Sequence, residues 1–180
     1  KHMAAAITVS VGRFDIAKRE LNEVIKLYQD LDDLEGVLIA EADLVLLALK
    51  ANNLDEAEQI GLAIYDRSAE QFTYPRSIVS AYLAIIYLNL NNIPKAKKFI
   101  DERNKYDWFD PRPAFAMIPA SLAHAQGDFQ LAVEIAEKLK VRLAEQWSSG
   151  HQAYADKFSQ DLNLGQSSIQ DYANLNQHNL

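Results

Sequence analysis

Apolar residues recur along this chain at gaps of three, four and five positions. Ile16, Leu21, Val24, Ile25, Tyr28 and Leu31 fall on one face of a helix and fit no alternating strand. The same rhythm returns at Val37, Leu38, Ala40, Leu44, Leu47 and Ala48, which places a second helix up to Ala51. Further helices are expected from Leu54 to Phe72, from Pro75 to Leu90, from Asn92 to Lys105, from Ala114 to Gln126 and from Gly127 to Trp147. Another begins at His151 and runs to Leu162.

Polar punctuation separates these stretches. Asp32-Asp33 can cap a helix, because a carboxylate accepts from the exposed N–H groups of a first turn. Asn52-Asn53, Asn91-Asn92 and Gly127-Asp128 are turns, since Asn and Gly tolerate the left-handed conformation that ends helices. Thr73-Tyr74-Pro75 breaks the pattern and Pro75 suits a new first turn. Asp110-Pro111-Arg112-Pro113 marks a rigid extended connection. Pro119 falls inside an apolar stretch, where it is expected to kink the helix.

The turns share one order of residue types. Gly12-Arg13-Phe14-Asp15-Ile16-Ala17, Asn53-Leu54-Asp55-Glu56-Ala57, Asn91 to Ala96 and Gly127 to Ala132 each run from a polar turn through an apolar residue to Ala. Ala17, Ala57, Ala96 and Ala132 are spaced by 40, 39 and 36 residues. A period in this range is the mark of stacked helix-turn-helix repeats. An Ala early in the second helix belongs where two helices cross most closely, and a larger side chain there separates them.

On these residues the chain resembles the tetratricopeptide repeat (TPR) family. The TPR pattern places large, small and aromatic residues on the first helix of a unit, a small turn residue after it, and Ala on the second helix. Here Leu83, Ala84, Tyr87, Asn91 and Ala96 take those places, with Ile100 at the later large position. Pro119, Ala120, Ala123, Gly127 and Ala132 take them in the next unit, and Leu44, Val45, Ala48, Asn52 and Ala57 in the preceding one. In that preceding unit Gly61 stands where a large residue is usual. The longer period is similar to that in the sensor domains of maltose-regulator-like (LuxR-type) bacterial regulators. The resemblance implies an all-α, right-handed superhelical array of antiparallel helix pairs, with about 3.5–4 repeats. Residues 4–158 would form it and residues 159–180 a polar tail, linker or short capping helix; residues 1–3 read as a tag remnant. The small apolar stretch Ala4 to Val11 sits where the end of a first helix belongs, so the chain is expected to start inside a repeat of a longer protein.

Charge narrows the partners. A net charge of -7 and a pI near 5.1 disfavour nucleic acid or an anionic membrane, both of which need clustered Lys and Arg. The basic run Lys95, Lys97, Lys98, Arg103 and Lys105 is interrupted by Asp101 and Glu102 and is expected to be a solvated helix face. No Cys is present, which removes disulfides, thiolate metal sites and a thiol nucleophile together.

No catalytic, cofactor-binding or metal-ligating set is expected. His124, His151 and His178 lack the spacing of a metal site, and the carboxylate pairs Asp32-Asp33, Asp55-Glu56 and Glu41-Asp43 sit where caps and solvated faces explain them. No phosphate loop or nucleophile elbow occurs. Residues suited to an interface are Tyr106, Trp108 and Arg112 in the connection, with Phe109 beside them, since aromatic residues and Arg dominate interface energetics. Arg76, Tyr82, Glu41, Asp43, Ser77 and Ser80 lie on first helices, whose inner faces line the concave surface of such arrays. The partner-binding set is therefore Arg76, Tyr82, Tyr106, Trp108 and Arg112, and the packing set Ala17, Ala57, Ala96, Ala132, Leu44, Leu83 and Tyr87. The expected function is a cytoplasmic, non-enzymatic interaction or scaffold module. It would be the sensor or regulatory part of a larger regulator, meeting a protein, a peptide, another domain of its own chain or a second copy. The alternatives are a receptor holding a small ligand or signalling peptide in its groove, and a stand-alone TPR chaperone.

Overall fold

A computed structural model describes residues 13–68, 71–106 and 113–146. These residues form helices and no strand, so the fold is all-α. The helices are α1 (Phe14–Asp30), α2 (Leu34–Lys50), α3 (Leu54–Arg67), α4 (Thr73–Asn89), α5 (Ile93–Arg103), α6 (Pro113–Ala116), α7 (Ile118–Ala125) and α8 (Phe129–Gln146).

Four of the connections are the same three-residue turn, and its chemistry is readable in the residues. Asp32, Asn52, Asn91 and Gly127 each take a positive φ, of 54°, 57°, 54° and 82°. That left-handed step lets two backbone N–H groups turn back on the helix just ended. Asn91 donates to the Leu88 carbonyl at 3.0 Å and Asn92 to the Tyr87 carbonyl at 2.8 Å. Asp32 and Asp33, Asn52 and Asn53, and Gly127 and Asp128 repeat the same pair of bonds. The residue that closes one helix then caps the next. Asp33 Oδ1 accepts from the Gly36 N–H at 2.9 Å, Asn53 Oδ1 from Glu56 at 3.3 Å, Asn92 Oδ1 from Lys95 at 3.2 Å and Asp128 Oδ1 from Leu131 at 3.1 Å. One residue thus serves two helix ends, its backbone N–H closing one and its side-chain oxygen capping the next, and adjacent helices fold back as hairpins. The turn between α1 and α2 has this form as well, although its Asp32-Asp33 does not match the Gly or Asn pairs elsewhere.

Four residues beyond the cap, the second helix meets its neighbours. Ala17, Ala57, Ala96 and Ala132 are each fully buried there, and Val37 holds the equivalent place in α2 at 3% exposure. Leu83 and Tyr87 are buried on α4, and Leu44 is half-buried beside Ala17, Leu21 and Leu47. Gly61 completes the α3–α4 crossing: a Cβ on it would lie 2.9 Å from Cδ2 of Leu83. The absent side chain at Gly61 is what lets the large Leu83 side chain in.

The core is strung along the chain. Ala17, Leu21 and Leu47 join α1 to α2. A larger cluster runs through α2, α3, α4 and α5 and takes in Phe115 and Ile118. Met117, Ala120, Ala123, Ala132 and Ala136 join α7 to α8. Burying each large aliphatic side chain contributes about 1.5–3 kcal/mol, so α4, with twelve buried residues, is the element the others are fastened to.

Two boundaries differ from the pattern. Pro119 does not kink one long helix: α6 ends at Ala116, Met117 forms a turn, and Pro119 lies in the first turn of α7. A proline costs nothing there, because the first N–H groups of a helix have no intrahelical acceptor. The third helix stops at Arg67 rather than Phe72, where Ser68 donates its hydroxyl to the Tyr65 carbonyl at 3.1 Å.

Candidate interaction surface

Arg76 sits one helical turn into α4 and is held entirely from within the chain. Its Nε donates to Glu102 Oε1 of α5 at 2.7 Å. Its Nη1 donates to the carbonyls of Tyr65 and Ser68, at 3.0 and 3.2 Å, where α3 ends. The guanidinium also lies 4.0 Å from the centre of the Tyr65 ring. One side chain therefore ties α4 to the C-terminus of α3, where a cation is favoured, and to α5. Only 15% of it is exposed.

Glu102 is the hub of that cluster. Lys105 Nζ donates to its Oε2 at 2.6 Å and the Tyr106 hydroxyl to its Oε1 at 3.3 Å. Burial alone would push this carboxyl upward, but the hydrogen bonds and charges of Lys105 and Arg76 outweigh burial and hold it down at about 2. The same contacts raise Arg76 against the effect of its own burial. At neutral pH the cluster is a fully ionised pair with an added cation.

Tyr82 is 2% exposed and meets the Phe115 ring edge-on, with centroids 4.9 Å apart. Tyr106 is half-buried against Glu102. Trp108, Phe109 and Arg112 lie outside the described residues, as do the stretches 1–12 and 147–180. Among the inward-facing candidates, Ser80 is buried and Glu41 forms a two-pronged pair with Arg67 Nη1, at 2.7 and 2.9 Å. Ser77 and Asp43 are half-buried. On α2, Ile39, Asp43 and Leu46 are half-buried at i, i+4 and i+7, and Leu46 packs against the core.

Tyr87 shows how the packing set and the polar set interlock. Its ring stacks on Phe99 at 5.6 Å, its hydroxyl donates to Glu58 Oε1 at 2.6 Å, and the Lys95 ammonium lies 4.7 Å from the ring centre. Burial first, then the Glu58 carboxylate, raise the Tyr87 phenol well above its ordinary value. Lys50, at the end of α2, is 8% exposed and burial lowers its ammonium below the usual lysine range.

An open depression of about 250 Å³ lies beside the first turn, lined by Gln29, Asp32, Asp33, Leu34, Val37 and Arg67. Among the described residues no group of three or more His, Asp or Glu is placed to hold a metal ion, and no helix is long and apolar enough to cross a membrane. Compared with protein-family models, with curated proteins and with solved structures, the chain matches none.

Proposed function

We propose that this chain is a non-enzymatic, TPR-like helical-repeat module that captures a protein or peptide along the face built from its first helices. The observation that carries this is the recurrence of one fused turn with a buried Ala at the same place after it, at Ala57, Ala96 and Ala132. Helix pairs built on one repeated junction stack in one dimension, as a right-handed superhelix in the TPR family, and such stacks present a long face built from the first helix of each pair. On α2 that face includes the half-buried Ile39 and Asp43. In this proposal the module is the sensor or scaffold part of a larger regulator, its output passing to another domain.

The test is capture from a random peptide library by immobilised wild-type and Asp43→Arg proteins. Peptides retained by the wild type and lost from the variant support the proposal. Retention that does not depend on residue 43 refutes it. A small-ligand receptor has the depression at Arg67, Asp32 and Asp33 in its favour, because both signs of charge line it. A ligand present at about 100 times its dissociation constant would stabilise the fold by about 2.7 kcal/mol, which a thermal-shift screen detects.

A further inference from the structure

We draw no further inference here: the strongest candidate, the open depression between the α1–α2 turn and the end of α3, carries none, since its Arg67 is already paired with Glu41, its Asp33 already caps α2, and nothing in the structure shows what ligand the exposed Asp32 would take.

Discussion

Replacing Glu102 by Gln removes the charge from the Arg76 cluster and keeps its shape. The carboxyl is held at about 2, against an ordinary value of 4.5, and a difference of that size is worth about 3 kcal/mol at most. Solvent lowers this figure, because the Lys105 side chain is 64% exposed, whereas Arg76 and Glu102 are only 15% and 10% exposed. About 1.5–2.5 kcal/mol at pH 7 is the expected loss for Glu102→Gln, or roughly 4–8 °C in melting temperature for a domain of this size. The pH dependence gives a sharper test. The folded carboxyl binds its proton less readily than the unfolded one, so its contribution is fully present above about pH 4.5 and is lost as pH falls towards about 2. The amide of the Glu102→Gln variant has no such contribution to lose. Urea unfolding of both proteins from pH 7 to pH 3 should show the stability gap narrowing below about pH 4.5. A gap under about 0.5 kcal/mol at pH 7, or one that stays constant down to pH 3, would falsify the assignment of Glu102 as the charged hub.

Three further substitutions probe the junctions. Ala96→Leu should cost about 1–3 kcal/mol by overpacking a fully buried site, and an unchanged melting midpoint would break the placement of that residue at the helix crossing. Gly61→Val should cost a similar amount, since its Cβ would already lie 2.9 Å from the fully buried Leu83; a neutral result would mean that α3 and α4 move apart without penalty. Asn91→Gly should be close to neutral, whereas Asn91→Val should lose about 1–2 kcal/mol, because a β-branched residue resists the φ of 54° found there. Equal melting of those two variants would contradict the left-handed turn.

The junctions are legible because their chemistry is local. Left-handed Asn and Gly, capping Asp and Asn and a following Ala are all set by residues within one turn of each other, and the sequence places them where the helices end. Pro119 reads as a kink and is instead a helix start, since a proline in the first turn of a helix and one inside it look alike until the preceding boundary is known. Arg76 and Tyr82 show the other limit. By position both are candidates for an open inner face, yet Arg76 is bound to Glu102, 26 positions away, and Tyr82 packs on Phe115 across a connection. Nothing near either residue in sequence announces those partners. The exposure of Leu27 and Leu31 on α1 is hidden for a related reason: they have the same periodicity as the buried residues beside them, and only the position of α2 separates the two sides.

The fused turn also decides where this chain can change length. At Asp32-Asp33, Asn52-Asn53, Asn91-Asn92 and Gly127-Asp128 the left-handed residue and the cap are adjacent, so one inserted residue would separate the closing bonds of one helix from the capping bond of the next. It would also turn the following helix by about 100°, moving its Ala off the crossing. An insertion or deletion is therefore better tolerated in the other connections or through a change in helix length. Ala57 to Ala96 spans 39 residues and Ala96 to Ala132 spans 36, while the distance from cap to Ala stays the same. An inserted tag placed at Asn52 or Asn91 should not be accepted.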